Sequence, residues 1–174
     1  MIDPLGLAPL LRDVPDFPKP GVIFKDIAPL LADAQAFDAV IHALAEVAAP
    51  NGADLVAGIE ARGFLIAGAL ARQLGCGLVP VRKAGKLPPP TLGKAYDLEY
   101  GSAEIEVPAG LLDGKRVVVV DDVLATGGTM RAAADLISEA GAVIVELAVI
   151  VELAFLNGRA VVADVAPLHA LLTL

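Results

Sequence analysis

The sequence of 174 residues contains one cysteine, two histidines and no tryptophan. The single Cys76 cannot form an internal disulfide, so the chain fits a reducing compartment and we expect a cytoplasmic protein. Two histidines, His42 and His169, are too few for a metal site built on imidazole ligands, and both are expected to be structural. No serine or cysteine stands in a nucleophile motif, which argues against a catalytic triad.

Long apolar runs and an excess of positive charge are also missing. The longest apolar candidate, residues 142–156, is interrupted by Glu146 and Glu152, so no segment is expected to span a membrane. The segment from Met1 to Pro4 lacks the basic and apolar regions of a signal peptide. The net charge of −8 argues against nucleic acid as the main partner, because nucleic-acid binding depends on neutralising phosphates.

Hydrophobic residues are abundant, at 56% of the chain, and most of them are alanine, valine and leucine. This share exceeds the roughly 45–50% of an average domain. An aliphatic excess of this kind predicts a parallel sheet buried on both faces, and it is compatible with an apolar subunit interface. Because no repeat or linker is visible, the length predicts one domain, residues 1–174.

Strand and helix patterns alternate along most of the chain. Asp33 is a candidate N-cap for a helix that ends near Ala49. The other expected elements are strand 54–59, helix 63–74, strand 78–81, strand 117–120, helix 128–140 and strand 143–153. This order predicts an α/β fold with a doubly wound, mostly parallel sheet flanked by helices. The proline-rich residues 1–34 and the stretch 82–101 lack periodicity, and we expect the second to be a long flexible loop.

The most informative segment is residues 117–130. Four valines predict a buried strand, Asp121 and Asp122 follow at its end, and a loop of threonine and glycine then leads into a helix. Backbone N–H groups in such a loop and the dipole of the helix favour an anion, and the hydroxyls of Thr126 and Thr129 add donors. The loop lacks the lysine of a Walker motif. The two carboxylates suit the vicinal hydroxyls of a ribose, so the segment predicts a site for a phosphorylated sugar.

Three further segments carry charge at the edge of the predicted sheet where ligands bind in doubly wound folds. Arg62 stands at the start of a predicted helix, and a guanidinium matches the geometry of a diphosphate. Arg82, Lys83 and Lys86 place three cations within five residues of an acidic chain. Residues 96–101 offer carboxylates and two phenols.

Residues 117–130 resemble the binding motif for 5-phosphoribosyl 1-diphosphate in the type I phosphoribosyltransferases. Four more stretches resemble one branch of that family, the adenine phosphoribosyltransferases. They are residues 17–31, 58–64, 82–88 and 96–101. The order and spacing of these stretches make the resemblance specific.

The resemblance implies a role for each segment. Residues 125–129 surround the 5-phosphate, Asp121 and Asp122 face the ribose, and Mg²⁺ is held through the substrate rather than by a side chain. The residues expected to bind 5-phosphoribosyl 1-diphosphate or AMP are Arg62, Arg82, Lys83, Lys86, Tyr100, Asp121, Asp122, Ala125, Thr126, Gly127, Gly128 and Thr129. Those expected at adenine are Ile23, Phe24 and Lys25 of an N-terminal hood (residues 1–34), together with Leu124.

The resemblance also implies how the reaction is catalysed. Glu99 is expected to assist proton transfer at the base, provided that closure of a lid (residues 82–101) desolvates it and raises its pKa. Arg62 is expected to stabilise the charge of the leaving diphosphate. The family further implies a homodimer.

Ala125 bears on the choice of base. Related enzymes that act on 6-oxopurines carry an aspartate at this position, so Ala125 favours adenine. Two alternatives remain at this stage: transfer to another base such as xanthine, guanine or orotate, or a non-catalytic regulator that senses the sugar diphosphate. The charge and the length leave little room for the DNA-binding module that such a regulator usually needs.

Overall fold

The computed structural model describes residues 1–98 and 101–174, and the side chains of all of these except residues 97, 98, 101 and 102. The strands are β1 (Arg12–Pro15), β2 (Ile23–Asp26), β3 (Leu55–Ile59), β4 (Gly77–Lys83), β5 (Thr91–Leu98), β6 (Gly101–Pro108), β7 (Arg116–Leu124), β8 (Val143–Glu152) and β9 (Leu168–Thr173). The helices are α1 (Ala28–Ala32), α2 (Ala34–Ala48), α3 (Gly63–Leu74), α4 (Gly128–Glu139) and α5 (Gly158–Val162).

Seven of the strands in the described residues form one sheet, in the order β5-β6-β4-β3-β7-β8-β9. The five strands β4, β3, β7, β8 and β9 run parallel to one another, and β5 and β6 extend one edge as an antiparallel pair. This arrangement confirms the predicted α/β fold with a mostly parallel sheet. It also brings the carboxyl ends of β3, β4 and β7 to one edge, as expected for a ligand site.

The alternation of side chains along β7 explains its run of valines. Val118 and Val120 face a core formed with α2 and α3, whereas Val117 and Val119 face a second core formed with α4. All four valines are fully buried. A strand covered on both faces needs apolar residues at every position, which is why the sequence shows a continuous run there instead of an alternating pattern.

The predicted helices α2, α3 and α4 are confirmed, and their ends have clear causes. The carboxylate of Asp33 accepts hydrogen bonds from the backbone N–H groups of Gln35 and Ala36, which caps α2. Gly75 ends α3 with a φ of 70°, a left-handed conformation that favours glycine. None of the helices in the described ranges is long and apolar enough to cross a bilayer.

Three expectations about local structure were wrong. The central strand does not stop at Val120 but continues to Leu124, so Asp121 and Asp122 lie within β7. Residues 82–101 are not one long loop, because β4 extends to Lys83 and residues 91–98 pair with β6 as a hairpin. The hairpin lies at the edge of the sheet, where apolar residues such as Leu92 are exposed. The sequence of its strands therefore lacks the regular alternation of buried apolar and exposed polar residues that would predict them.

The third correction concerns the N-terminal segment, which is not wholly irregular. β1 and β2 pair as a short antiparallel ribbon. Cross-strand ion pairs hold it together, with 2.6 Å between Arg12 Nη2 and Asp26 Oδ2 and 2.6 Å between Lys25 Nζ and Asp13 Oδ1. Strands this short, with charged residues on both faces, carry no hydrophobic period that would reveal them in a sequence.

Candidate active site

The loop between β7 and α4 forms a small anion-binding cradle. Its residues surround a cavity of about 80 Å³ at the N-terminus of α4, with Asp121 on one side. Gly127 has a φ of 85°, which favours glycine. The structure thus brings the predicted residues of the loop together: Ala125, Thr126, Gly127, Gly128 and Thr129. Free N–H groups and the helix dipole make this position suitable for a phosphate.

A glycine from a distant part of the chain supports the cradle from below. The backbone of Gly158, the first residue of α5, lies directly against the loop. A Cβ atom on Gly158 would be 2.2 Å from the carbonyl oxygen of Ala125 and 2.9 Å from the nitrogen of Gly127. This contact between two backbone segments fixes the position of the loop relative to α5. Only glycine fits at position 158, because a Cβ atom would collide with the loop.

Asp121 and Asp122 lie side by side near the end of β7. Burial and the adjacent carboxylate of Asp122 raise the pKa of Asp121 well above its usual range. Burial also raises the pKa of Asp122, although the guanidinium of Arg62 opposes that change. Two neighbouring carboxylates in a poorly solvated place tend to hold a proton until a cation or a hydroxyl donor arrives.

Arg62 connects these carboxylates to the N-terminal hood. Its Nε lies 2.8 Å from Oδ2 of Asp122, and its guanidinium carbon lies 4.7 Å from the centroid of the Phe24 ring. Nη1 of Arg62 and Oδ2 of Asp122 are buried, and neither has a hydrogen-bonding partner among the described residues. The ion pair is therefore close but poorly aligned. A buried polar atom without a partner costs about 1–3 kcal/mol, so both atoms are available to a polar ligand.

A large cavity, of about 600 Å³, opens between β3, β4 and the edge hairpin. Arg62, Lys83, Asp121, Asp122 and Thr129 contribute its polar wall. It is therefore lined by cations and carboxylates at once, which suits a ligand that carries both anionic groups and hydroxyls.

Arg82 does not line this cavity. Its Nε lies 3.3 Å from Oε2 of Glu60, and its Nη1 donates to the carbonyl oxygen of Lys86 at 2.9 Å. Burial opposes ionisation of Glu60, but the N–H of Lys83 and the charge of Arg82 outweigh that effect and lower the pKa of Glu60. The guanidinium of Arg82 therefore stabilises the turn after β4. Sequence analysis did not predict its pairing with Glu60.

A buried glutamate from β6 holds the same turn. Oε1 of Glu106 accepts hydrogen bonds from the N–H groups of Lys86 and Leu87, each at 2.8 Å. The hydrogen bond from Leu87 is the main cause that lowers the pKa of Glu106, so this carboxylate is ionised at neutral pH. The turn that follows Lys83 and carries Lys86 is thereby fixed in place beside the large cavity.

A third cavity, of about 540 Å³, lies between the hood and the end of β8. Ile23, Phe24 and Lys25, the hood residues expected at the base, line it on one side. The ammonium of Lys25 forms an ion pair with Asp13. We therefore expect its backbone and aliphatic stem, rather than its charge, to contact a ligand in this cavity. The opposite wall consists of residues that sequence analysis missed: Leu153, Phe155 and Leu156.

Three other expected site residues have different outcomes. Leu124 is fully buried in the core beneath the cradle and does not line the cavity beside the hood. Glu99 and Tyr100 lie outside the described residues. Their expected roles therefore stay predictions.

The carboxylates beside the cradle bear on how Mg²⁺ would be held. Within residues 1–98 and 101–174, no cluster of three or more His, Cys, Asp or Glu residues is arranged to hold a metal ion. Asp121 and Asp122 nevertheless supply carboxylate oxygens beside an anion-binding cradle. Mg²⁺ prefers such a setting, because it is commonly bound by one or two carboxylates together with substrate phosphates and water.

Residues 28–160 match the family model described as phosphoribosyl transferase domain. The chain is 58% identical to an adenine phosphoribosyltransferase of Streptomyces coelicolor, over 99% of this chain and 100% of that one. Among solved structures, adenine phosphoribosyltransferase from Rhodothermus marinus is 44% identical, with a TM-score of 0.92 over 97% of this chain and 96% of that one. The Giardia lamblia enzyme complexed with 9-deazaadenine is 36% identical, with a TM-score of 0.93 over 100% and 99% of the two chains.

Proposed function

The chain belongs to the adenine phosphoribosyltransferases, within the phosphoribosyl transferase domain family, and from this membership we propose how its residues divide the work of the reaction. The enzyme transfers the 5-phosphoribosyl group of 5-phosphoribosyl 1-diphosphate to N9 of adenine, which gives AMP and diphosphate. It is a pentosyltransferase of purine salvage.

One observation carries the proposal: three cavities adjoin one another around the end of β7. Asp121 and Thr129 line both the cradle and the large cavity. Arg62 lines both the large cavity and the cavity beside the hood, and Ala125 joins that third cavity to the cradle. The substrates have three parts in the same relation, because the ribose is joined to a 5-phosphate, a diphosphate and, after transfer, a base.

The cradle accounts for the 5-phosphate. The N–H groups at the start of α4 and the hydroxyls of Thr126 and Thr129 bind its oxygens, and the helix dipole favours its charge. Gly158 keeps the loop close to the sheet. No cation of the loop is needed, because backbone donors bind the phosphate.

The paired carboxylates account for the ribose. Asp121 and Asp122 accept hydrogen bonds from its vicinal hydroxyls and support the positive charge that develops at C1. Their place within β7, and not on a loop, gives the acceptors a rigid base. Asp121 and Asp122 would hold Mg²⁺ together with substrate oxygens, and the ion would neutralise charge on the diphosphate.

The large cavity accounts for the leaving diphosphate. Arg62 and Lys83 line it, and Nη1 of Arg62 has no hydrogen-bonding partner in the described ranges, so it is free to donate to a diphosphate oxygen. Lys86 stands on the fixed turn that follows β4 and adds positive charge. Arg82 holds this turn through the carbonyl oxygen of Lys86 and through Glu60, so its effect on diphosphate is indirect.

The cavity beside the hood accounts for adenine. Ile23, Phe24 and the stem of Lys25 form one side and Leu156 the other, so an apolar ring can lie between them. Ala125 leaves the base without a carboxylate at its edge, which suits adenine better than a 6-oxopurine. Leu124 acts only from beneath, through the core.

Transfer is a substitution at C1. N9 of adenine forms a bond to C1 as the bond from C1 to the diphosphate oxygen breaks, and the proton of N9 is lost. We assign proton transfer at the base to Glu99 and a role near the diphosphate to Tyr100. Closure of the edge hairpin, β5 and β6, over the large cavity would exclude water from the oxocarbenium-like centre.

We also infer a cytoplasmic homodimer. The apolar excess of the sequence and exposed apolar side chains such as Leu65 and Leu78 support a subunit interface. The single Cys76 fits a reducing compartment. Sedimentation of the purified protein over a range of concentrations tests the oligomer.

The proposal is tested by following AMP and diphosphate formation by phosphorus NMR, with and without Mg²⁺. Adenine should be converted only when Mg²⁺ and 5-phosphoribosyl 1-diphosphate are both present. Hypoxanthine, guanine, xanthine and orotate should be poor substrates. Equal turnover of hypoxanthine and adenine would overturn the argument from Ala125, and Ala125→Asp should lower turnover of adenine.

A further inference from the structure

One segment of the molecule touches both the 5-phosphate cradle and the base cavity. It is the corner between β8 and α5, residues 153–158, and it includes a short 3-10 turn, Ala154–Leu156. Leu153, Phe155 and Leu156 line the base cavity. Gly158, at the other end of the corner, lies against the cradle. A shift of this corner would therefore disturb two subsites at once.

An ion pair between Glu152 and Arg159 joins the two ends of this corner. Nε of Arg159 donates to both carboxylate oxygens of Glu152, at 3.0 and 3.2 Å, and its Nη2 lies 2.5 Å from Oε2. Nη1 of Arg159 donates to the carbonyl oxygen of Leu168 at 2.9 Å. The guanidinium thus joins the last residue of β8, the second residue of α5 and the first residue of β9.

The carboxylate of this pair is almost fully buried. Glu152 is 5% exposed, and the hydrogen bond to it raises the pKa of Arg159. Glu152 also lies opposite Leu124 in the sheet, and the N–H of Leu153 donates to the carbonyl oxygen of Leu124 at 2.9 Å. The ion pair is therefore anchored to the strand that carries the catalytic carboxylates, one residue before the cradle begins.

We propose that Arg159 is a positioning residue: through its forked pair with Glu152 it sets the corner at residues 153–158, and so aligns the base wall and the 5-phosphate cradle with each other. Arg159 touches no substrate. It acts through Gly158, which supports the loop, and through Leu156, which faces the base. The inference rests on the substrate assignment proposed above.

If Arg159 positions the corner, its removal should change the affinity for two chemically different groups, the 5-phosphate and the base. Removal of the fork frees the corner, so both the 5-phosphate and the base should bind less well. The diphosphate should be little affected, because its cavity is lined by residues of the strands β3 to β7, of the turns after β3 and β4 and of α4, and by none of the corner. Binding and not the chemical step should suffer, since the corner lies away from C1.

The test compares Arg159→Ala with Arg116→Ala. Arg116 also donates its guanidinium to a backbone carbonyl, that of Asn51, but it lies at the opposite end of β7. Calorimetry with Mg²⁺ measures binding of diphosphate to its own subsite, of ribose 5-phosphate to the cradle and the ribose site, and of AMP to these and the base cavity together. Steady-state kinetics gives KM and kcat. Binding of AMP and ribose 5-phosphate by the unaltered enzyme first establishes the substrate assignment itself.

For Arg159→Ala we expect the Kd of AMP and the KM of both substrates to rise on the order of tenfold, which is modest beside the hundredfold that a 1 Å misplacement can cause. The Kd of diphosphate and kcat should change little. Arg159→Lys keeps the charge but not the fork, so it should give a smaller rise in the same direction for both KM values. It also serves if the alanine variant does not fold.

The proposal would be overturned by two outcomes. One is a fall in melting temperature with unchanged affinity for AMP and ribose 5-phosphate, which would show that Arg159 only stabilises the fold. The other is a rise in KM for one substrate alone, which would show that the corner does not align the two subsites. Failure of the unaltered enzyme to bind AMP would instead reject the substrate assignment.

Discussion

Arg62 and Asp122 form a close ion pair, with 2.8 Å between Nε and Oδ2, yet Oδ2 accepts no hydrogen bond from any described residue. The same guanidinium lies against the ring of Phe24. Arg62 therefore stands between the base cavity and the carboxylate pair before any substrate binds. A ligand that accepts a hydrogen bond from Nη1 of Arg62 and donates one to Oδ2 of Asp122 would give both buried atoms a partner.

Arg62→Lys should separate the charge of this residue from its shape. Lysine keeps the charge but loses the planar fork, so we expect kcat/KM for 5-phosphoribosyl 1-diphosphate to fall about 10²–10³-fold, as when one donor to a developing charge is removed. Arg72→Lys is the matched control, because Arg72 is an exposed arginine in the last turn of the same helix. Steady-state kinetics measures both, and an unchanged kcat/KM would exclude the role.

Asp121→Asn should stabilise the protein at neutral pH. A buried group whose pKa is raised in the folded state binds protons more tightly there than in the unfolded chain, so its contribution to stability falls as the pH rises through the folded value. The asparagine removes this ionisation. We expect a higher Tm at pH 7, by roughly 2–4 °C for each kcal/mol gained, and a smaller difference as the pH falls towards 5.

Calorimetric melts of both proteins across that pH range measure this effect. Asp38→Asn serves as the control, since Asp38 lies exposed on α2. A Tm difference that grows on acidification would contradict the sign of the pKa shift and the burial that causes it.

Asp122→Asn should depress turnover with the fold intact. An amide cannot supply the charge that balances a cationic C1 or Mg²⁺, and one of its two ends donates instead of accepting. For the same reason, kcat/KM of the unaltered enzyme for 5-phosphoribosyl 1-diphosphate should fall on acidification, since protonation of the pair removes acceptors. Kinetics of the variant equal to those of the unaltered enzyme would reject the sugar-binding role of Asp122.

Glu99→Gln should lower kcat more than it raises KM. Glutamine keeps the size of the side chain but cannot exchange a proton with the base, and positioned acid–base groups typically contribute about 10²–10⁴-fold. Glu46→Gln, on the exposed face of α2, provides the control. A normal kcat in the Glu99 variant would show that another group or solvent performs the proton transfer.

Gly158→Ala should damage the cradle. The new Cβ would meet the carbonyl oxygen of Ala125 at 2.2 Å, so we expect a loss of about 1–3 kcal/mol in stability, as for overpacked sites, together with weaker binding of ribose 5-phosphate. Gly68→Ala is a sharp contrast. Gly68 lies within α3, where a Cβ atom would meet no other atom within 4 Å, and alanine there should stabilise by roughly 0.5–1 kcal/mol. Equal effects of the two substitutions would reject the contact.

The sequence predicted those parts of the fold whose information is local. The buried strands β3, β7 and β8 each contain a continuous apolar run, and α2 begins after an aspartate that caps it. The edge hairpin and the ribbon β1–β2 were missed because their strands are partly exposed and mix charged with apolar residues. No period distinguishes such strands from loops.

The site divides in the same way. The cradle, the carboxylates and Arg62 lie within short contiguous motifs, so sequence analysis found them. Gly158, Glu106 and Leu156 act through contacts between segments that are far apart in the chain, and nothing near them in the sequence marks that role. The pairing of Arg82 with Glu60 was missed for the same reason.

The hydrogen bonds of Glu106 have a consequence for how this enzyme can vary. One carboxylate oxygen holds the backbone at Lys86 and Leu87, so the cationic turn does not depend on the rest of the hairpin for its shape. Changes in β5 should therefore leave this turn in place. Substitutions along that strand can alter access to the site, while the turn that follows Lys83 stays where it is.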